Sequence, residues 1–210
     1  MALPAESCER PMKTLLRVTA VMLMVTSLAS QDASSVRRMF EAGQYQDVVQ
    51  NGESPDAPPE VVYATAQSQQ MLGNTEGAIA AYGRLADLPE DNPWRFIGAS
   101  GQHLLRNEYE PALDLAQQAV NAGSALPDAH FQLGLVKAKM QDWGGAAEAF
   151  DRATQLNPSL AYAYYYGGLM HYRANRLDRM ANQFDRFLKL APNAPERPEV
   201  MQIMKTVRGR

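Results

Sequence analysis

Apolar and small side chains recur at a fixed interval along most of the chain. In one segment Ala146, Phe150 and Ala153 are spaced by four and three positions, which places them on one face of a helix. Equivalent apolar or small residues lie one interval later in the chain, at Met180, Phe184 and Phe187. They also lie one interval earlier, at Ala112, Ala116 and Ala119, and two intervals earlier, at Ala78, Tyr82 and Leu85. The period is about 34 residues, a length that predicts stacked helical hairpins.

The turn between the two helices of each copy is marked at the same interval. We predict a left-handed backbone there, because Gly and Asn tolerate the conformation that ends a helix. Small residues such as Gly134 also recur, and they predict close approach of the two helices. The four turn residues are Gly73, Asn107, Gln141 and Asn175. The predicted copies span 59–92, 93–126, 127–160 and 161–194.

Both ends of the array differ from the repeats. Residues 30–58 hold apolar positions of a degenerate helical hairpin, whose register is shifted by four positions, followed by a proline-rich connection that we predict to be extended. Residues 195–210 carry an apolar stripe with the spacing of an amphipathic helix. Because repeat arrays need a terminal element over their last apolar face, we predict a C-terminal capping helix.

Residues 1–29 have the character of a targeting segment. Basic residues precede Val18–Ala29, a run without charge that is shorter than the about 20 residues a membrane-spanning helix needs. We predict a signal peptide, 1–29, cleaved after Ala29 or alternatively after Ser30, so that no membrane span remains. We also predict that translation starts at Met12. The alternative is an uncleaved signal that anchors the protein in an inner membrane.

The repeat pattern resembles the tetratricopeptide repeat (TPR). The third copy departs from that pattern at His130, which replaces an aromatic residue, and at Lys137, which replaces Tyr. The residues that match in register are Leu133, Gly134, Ala146, Phe150, Ala153 and Pro158. The resemblance implies an all-α fold: a TPR-type right-handed superhelix of antiparallel helix hairpins, an α-solenoid, with the C-terminal capping helix.

Composition excludes several classes of function. The formal net charge is −3, so the chain has no basic surplus with which to neutralise nucleic-acid phosphates. Its single cysteine, Cys8, cannot form an internal disulfide or a cysteine-based zinc site. His103 and His171 occupy equivalent positions two repeats apart, roughly 20 Å at the usual helix spacing, so they cannot share a metal. We predict no catalytic residue, no metal, no cofactor and no enzymatic activity.

Five of the nine tyrosines lie between Tyr162 and Tyr172. The resemblance implies that the inward-facing positions of the first helix in each repeat line a concave groove that binds peptides. Two interpretations remain open, because aromatic side chains are enriched in recognition surfaces and equally in helix packing under a neighbouring helix or cap. The groove residues that we predict are Tyr162, Tyr165, Tyr166, Leu169, Tyr172 and Arg173 of the fourth copy, with Phe131 and Lys139 of the third.

These features predict a non-enzymatic scaffold or adaptor that is exported to the periplasm or secreted. Its partner would be another protein, a component of a bacterial envelope or of a secretion or assembly complex, bound in the concave groove. The alternative is a structural subunit of such a complex that self-associates as a homo-oligomer and makes no use of the groove.

Overall fold

The computed structural model of the protein describes residues 32–209, so the predicted signal peptide and its cleavage site lie outside the described residues. Within that range the chain forms eleven α-helices and no strand. In chain order they are α1 (Ala33–Glu41), α2 (Tyr45–Gly52), α3 (Pro59–Met71), α4 (Thr75–Ala86), α5 (Pro93–Leu105), α6 (Tyr109–Ala122), α7 (Pro127–Lys139), α8 (Trp143–Leu156), α9 (Ala161–Arg173), α10 (Leu177–Leu190) and α11 (Arg197–Arg208).

Helices α3 to α10 form four hairpins that stack in sequence order, each helix packing along the next. The first helices of the hairpins begin at a constant interval, at Pro59, Pro93, Pro127 and Ala161, and the second helices follow the same interval. Proline suits the first helical position because its missing N–H has no partner within the helix. The predicted all-α solenoid is confirmed.

The turn residues have the backbone that the sequence predicted. Asn107, Gln141 and Asn175 have φ angles of 61°, 64° and 57°, and Gly73 has a φ of 75°. In this left-handed region the chain reverses directly after the first helix of each repeat. Gly43 repeats the arrangement with a φ of 75° in the turn between α1 and α2.

Small residues bring the two helices of a hairpin close together, as predicted. A Cβ atom on Gly134 would lie 2.8 Å from the ring of Phe150, which is fully buried. Gly168 stands against the ring of Phe184 in the same way, one repeat later. The aromatic ring of the second helix therefore fills the space that the first helix leaves free.

Polar side chains fix the starts of several helices. The side-chain oxygen of Asn74 accepts a hydrogen bond from the Gly77 amide at 3.0 Å, and Asp142 accepts one from the Gly145 amide at 2.9 Å. Such caps satisfy amide groups that have no partner within the helix, and each contributes about 1 kcal/mol to stability. The caps therefore define where the second helices of the first and third repeats begin.

The additional helices complete both ends. At the C-terminus Val200 and Met204 are buried where α11 packs against α10, as a capping helix requires. We had predicted that the connection from α2 to α3 is extended, but only part of it is. It contains a turn in which the Ala57 amide donates to the Ser54 carbonyl at 3.1 Å, and the Arg84 guanidinium holds this turn by donating to the same carbonyl at 2.7 Å.

Candidate functional site

The first helices of the four repeats, α3, α5, α7 and α9, form the face of the solenoid that we call the concave face. All eight predicted groove residues lie on α7 and α9. The structure divides them into two groups. Those near the N-terminal ends of α7 and α9 are covered by other parts of the chain, whereas those near the C-terminal ends remain accessible.

Helix α1 covers part of the concave face. The Arg37 guanidinium lies 3.7 Å from the Asp128 carboxylate on α7. The ring of Phe40 packs edge-on against Tyr162 of α9, with 4.9 Å between ring centroids. The neighbouring Glu41 accepts a hydrogen bond at 3.3 Å from the amide of Ala161, the first residue of α9. The N-terminal helix therefore contacts the third and fourth repeats directly.

The C-terminal cap covers the same region from the other side. The Tyr162 hydroxyl donates a hydrogen bond to the Glu196 carboxylate at 2.7 Å, and Tyr165 donates to Glu199 at 2.9 Å. The Tyr162 oxygen also lies 3.4 Å from the hydroxyl of Tyr45 on α2. Because the Tyr162 hydroxyl already donates its hydrogen bond to Glu196, Tyr45 acts as the donor here. One tyrosine thus joins both ends of the chain to the last repeat.

The two ends also meet each other. A Cβ atom on Gly43 would lie 2.7 Å from the ring of Pro195, so only glycine fits in the α1–α2 turn at this point. The positive φ of Gly43 imposes the same restriction. The turn after α1 and the segment before α11 therefore close over the N-terminal ends of α7 and α9.

Three predicted groove residues are consequently inaccessible. Only 3% of Tyr162, 7% of Tyr165 and 3% of Phe131 is exposed. Tyr165 packs against Phe187, with ring centroids 5.3 Å apart, and Phe131 packs edge-on against the half-buried ring of Tyr166 at 5.7 Å. In this structure these three side chains pack within the chain itself, and partner binding at these positions stays a prediction.

Tyr166 lies between the two groups, half-buried against Phe131. The other four predicted residues form what we call the open half of the concave face. Leu169 and Tyr172 are half-buried, and the side chains of Lys139 and Arg173 reach the solvent. Arg173 also lies over the ring of Trp143 in α8, 5.7 Å from its centroid, a cation–π contact that orients the guanidinium. Arg173 therefore holds a positive charge at the end of the helix that carries Leu169 and Tyr172.

A buried polar chain crosses the floor of the concave face. The Tyr63 hydroxyl of α3 donates to the Gln132 side-chain oxygen of α7 at 3.0 Å. The Gln132 amide group donates in turn to Ser100 of α5 at 3.1 Å, and Ser100 donates to the Ala112 carbonyl at 2.9 Å. Because each bond satisfies a polar group that water cannot reach, the chain fixes the relative positions of three repeats.

Burial changes the acidity of groups under α1. Desolvation raises the pKa of Glu41 to about 7, against the Ala161 amide and the charges of Arg37 and Arg38, which lower it. Desolvation also raises the pKa of Asp128, although Arg37 opposes the shift. The contact between α1 and the concave face is therefore a place where carboxylates are held in a poorly solvated environment.

Tyr166, next to this contact, is affected in the same way. Desolvation raises the pKa of its hydroxyl to about 12, and the charges of Glu196 and Glu199 add to the shift. The phenol therefore stays protonated throughout the neutral range and can act only as a neutral hydrogen-bonding group.

The three histidines are engaged separately. His171 is buried and its Nε2 lies 3.1 Å from both carboxylate oxygens of Asp151, whereas the rings of His103 and His130 bond to Glu108 and to the Ser124 carbonyl. Within residues 32–209 no group of three His, Cys, Asp or Glu side chains is placed to hold a metal ion. None of the helices in that range has the length and hydropathy to cross a bilayer.

Sequence reasoning missed the contribution of α1 and of Glu196 and Glu199. The signals were present in the pattern: Val36 and Phe40 share a helix face, and two carboxylates stand at the start of α11. What the pattern lacked was the position of α1 in space, because its register does not follow the repeat.

Comparison with known proteins agrees with the repeat. Models of the tetratricopeptide repeat match residues 127–160 and 60–90. The TPR repeat-containing protein MJ1428 of Methanocaldococcus jannaschii is 25% identical over 121 residues, which cover 57% of this chain and 21% of that protein. The Protein CTR9 homolog of Arabidopsis thaliana is 28% identical over 121 residues, covering 54% and 11%. The chain thus spans only a small part of either relative's length.

Solved structures share the fold at low sequence identity. TTC0263, a thermophilic TPR protein of Thermus thermophilus, superposes with a TM-score of 0.54 at 17% identity, covering 92% of this chain and 97% of that one. The first TPR of Spaghetti (RPAP3), bound to the HSP90 peptide SRMEEVD, gives a TM-score of 0.54 at 16% identity, covering 59% and 100%. By its repeat models, its helical hairpins and these shared folds, the chain is a tetratricopeptide repeat protein.

Proposed function

We propose that this protein is a non-enzymatic scaffold that binds a segment of another protein on the open half of its concave face. The TPR fold is that of a protein–protein interaction scaffold. One observation carries the finer proposal: at the C-terminal ends of α7 and α9, Lys139 and Arg173 are exposed and Leu169 and Tyr172 are half-buried. Tyrosine and arginine beside apolar area are the residue types that dominate binding energy at protein interfaces.

The chemistry of the open half selects a partner segment. The two exposed cations, Lys139 and Arg173, favour an acidic segment, because opposite charges steer association and like charges oppose it. The apolar surface of Leu169 and the ring of Tyr172 favour at least one apolar side chain between the acidic ones. The RPAP3 domain, which shares the fold, is solved with a peptide that contains two Glu and an Asp. This precedent supports an acidic peptide as the ligand.

We also propose that the protein works in a cell envelope. The support is the sequence before the helical array, in which Lys13 and Arg17 precede the uncharged run Val18–Ala29. N-terminal sequencing of the protein recovered from its native cells tests this proposal. A mature chain that begins at Ser30 supports export with cleavage. A chain that retains residues 1–29 and partitions with membranes supports the anchored alternative.

In-cell crosslinking tests the binding proposal. The tagged full chain is crosslinked in its native cells, and the captured proteins are identified by mass spectrometry. We expect one dominant partner whose capture falls at least tenfold in the double variant Tyr172→Ala, Arg173→Ala. The matched control is Tyr109→Ala with Arg106→Ala, which removes the same two residue types from the α5–α6 turn region.

Two results would contradict the proposal. Equal capture by the double variant and the control would show that the open half does not bind the partner. Capture of the protein by itself alone, unchanged in the double variant, would favour the self-associating structural subunit. The circular dichroism of both variants must match that of the wild type, so that a loss of helicity is not read as a loss of binding.

A further inference from the structure

A cleft opens between α8 and α10, the second helices of the last two repeats. Its volume is about 650 Å³, which is within the range of sites that hold small molecules. The α9 residues that line it, Tyr164 and His171, are seven positions apart and lie on the face of that helix opposite to Tyr162 and Leu169. The cleft is therefore separate from the concave face.

The equivalent space one repeat earlier, between α6 and α8, is filled by apolar side chains. Leu133 and Ala149 belong to one apolar cluster there, and Val120 packs on it. One interval later the equivalent residues are Gly167, Gln183 and Thr154. The fourth repeat thus lacks one apolar side chain and carries polar ones in place of two others. A local departure from the pattern of the fold is expected at functional sites.

A polar network forms the base of the cleft. The Nε2 atom of His171 lies 3.1 Å from both carboxylate oxygens of Asp151. The Gln183 amide group donates to the same carboxylate, and the Arg179 guanidinium lies 3.7 Å from it. Because a carboxylate only accepts hydrogen bonds, Nε2 of His171 carries the hydrogen. The carboxylate of Asp151 is therefore satisfied by its own neighbours.

Two acceptors of this network have no partner within residues 32–209. They are Nδ1 of His171, which is fully buried, and the side-chain oxygen of Gln183. With the hydrogen on Nε2, Nδ1 of a neutral imidazole can only accept, and the amide oxygen of Gln183 also only accepts. Buried polar groups are normally paired, because an unpaired one loses its solvation without compensation. Hydroxyl groups of a ligand would supply the two missing donors.

Cations stand at the outer part of the cleft. Arg186 and Lys189 are exposed on α10, three positions apart, and neither forms an ion pair within the described part of the chain. Asp185 also lines the cleft, but the two cations outnumber it. Arginine and lysine bind carboxylate and phosphate groups through charge-assisted hydrogen bonds. This end of the cleft therefore favours an anionic group.

We propose that the cleft binds a small hydroxylated anion, a sugar phosphate or a sugar acid. Its hydroxyl groups donate to His171 and Gln183, and its anionic end lies between Arg186 and Lys189. The shared chemistry of the two ligand types is a hydroxyl-bearing chain with one anionic end. This goes beyond the proposed function, because the ligand is a small molecule rather than a protein segment and the residues are different.

Isothermal titration calorimetry of the full chain tests the proposal. The probes are glucose 6-phosphate and gluconate, and the reference compounds are glucose and inorganic phosphate. We expect at least one probe to bind with a dissociation constant below about 1 mM, at least tenfold more tightly than either reference compound. Glucose lacks the anionic end and inorganic phosphate lacks the hydroxyl-bearing chain. The probe that binds more tightly identifies the anionic group as phosphate or carboxylate.

Removal of the two cations tests the anionic end. We expect Arg186→Ala with Lys189→Ala to weaken binding of the tighter probe at least tenfold. The matched control is Arg106→Ala with Lys205→Ala, which removes the same two residue types from exposed positions outside the cleft, and we expect less than a twofold change. Both double variants have the same net charge, so a difference between them reports on the cleft itself.

Filling the cleft tests its hydroxyl-binding base. Gly167→Leu with Gln183→Ala gives the fourth repeat the residues that stand at the equivalent positions of the third. A Cβ atom on Gly167 would lie at ordinary contact distances, 3.4 Å from Phe150 and 3.5 Å from Gln183. We expect this variant to lose binding of the tighter probe without a fall in its midpoint of thermal unfolding. If it loses helicity, the variant of the two exposed cations still decides.

Four results would overturn the proposal. The first is no binding of either probe at concentrations up to about 10 mM, weaker than specific complexes bind. The second is inorganic phosphate binding as tightly as both probes, which would show attraction of any anion. The third is equal binding by the cation variant and its control, and the fourth is full binding by a folded variant with the filled cleft. None of them bears on the acidic segment, whose test uses Tyr172 and Arg173.

Discussion

The hydroxyl groups of Tyr45 and Tyr162 lie 3.4 Å apart, although 117 positions separate them in the chain. Tyr45 precedes the first repeat and Tyr162 opens the last one. In a simple solenoid each repeat contacts its neighbours only, and stability is close to a sum of local terms. Here the N-terminal hairpin contacts the fourth repeat and the C-terminal cap, so we expect the array to unfold more cooperatively than an open one.

Removing the Tyr162 hydroxyl tests this closure. Tyr162→Phe keeps the ring that packs on Phe40 and deletes the bonds to Glu196 and Tyr45. We expect a loss of about 1.5 to 3 kcal/mol in the free energy of unfolding, because hydrogen bonds to charged groups contribute about that much. Urea denaturation followed by circular dichroism measures it.

The control for that substitution is Tyr164→Phe. Tyr164 is on the same helix, and its hydroxyl makes no hydrogen bond within residues 32–209. We expect its free energy of unfolding to stay within about 0.5 kcal/mol of the wild type. Equal losses in both variants would show that the Tyr162 bonds contribute nothing particular, and that the two ends of the chain are not coupled through them.

The sequence predicted the repeat because the two helices of each copy pack against each other under the same constraints. Glycine or alanine must stand wherever a ring of the second helix approaches the first, as Phe150 does at Gly134. A left-handed residue must follow each first helix, as Asn107 and Gln141 do. These are local requirements, so they recur at a fixed interval and give the element boundaries without knowledge of the whole shape.

The sequence did not predict in the same way whether the concave face is open or is covered by other parts of the chain. Whether Tyr162 points to a partner or to the chain's own ends depends on how far the superhelix turns before α1 and α11 reach it. The sum of small rotations between repeats determines how far the superhelix turns, and no single residue specifies that sum. The aromatic pattern alone is the same for a binding surface and for a core, so it did not predict that Glu196 lies beside Tyr162.

The close approach of Gly134 to Phe150 predicts that alanine destabilises the protein at position 134, whereas alanine at position 144 stabilises it. In Gly134→Ala the new methyl group would lie 2.8 Å from the buried Phe150 ring, so we expect a loss of about 1 to 3 kcal/mol from overpacking. In Gly144→Ala the nearest atom, on Arg176, is 3.5 Å away, and alanine gains about 0.4 to 1 kcal/mol over glycine.

Thermal unfolding of the two glycine variants checks this expectation, because both replace glycine by alanine in helices of the same repeat. The midpoint temperature should fall for Gly134→Ala and rise slightly for Gly144→Ala. If both midpoints rise, Phe150 can shift to make room, and the contact is not the reason for a small residue at position 134.

The left-handed turn at Gln141 offers a stabilising substitution. Its φ of 64° costs a residue with a side chain about 1 to 2 kcal/mol, which glycine avoids. Glycine also has greater conformational freedom in the unfolded chain, which offsets part of this stabilisation. We therefore expect Gln141→Gly to stabilise the protein by about 0.5 to 1 kcal/mol. Gln155→Gly, an exposed position within α8, should instead cost about 1 kcal/mol. Destabilisation by both substitutions in urea titrations would contradict the argument.

The raised pKa of Glu41 predicts that docking of α1 weakens as pH rises. Burial holds the Glu41 carboxyl at a pKa of about 7 in the folded protein, against a usual value of 4.5. A group whose pKa is higher in the folded state contributes stability that is fully present below about pH 4.5 and lost as the pH rises through about 7. Arg37 and Arg38 on α1 lower the pKa of Glu41 and so oppose this trend. Glu60 and Asp128, on α3 and α7, line the same cavity.

Hydrogen exchange of the α1 amides, corrected for intrinsic rates, measures this effect between pH 5 and pH 8. We expect protection of residues 33–41 to fall across that window in the wild type. The fall corresponds to about 1 to 2 kcal/mol in the free energy of opening, a value that allows for the partial exposure of Glu41. Glu41→Gln removes the titrating group and keeps a side-chain oxygen for the Ala161 amide, so its protection should change much less. Arg38→Ala, which removes a cation that lowers the pKa of Glu41, should move the midpoint to higher pH. Identical pH profiles for the wild type and Glu41→Gln would mean that this carboxyl does not control the docking of α1.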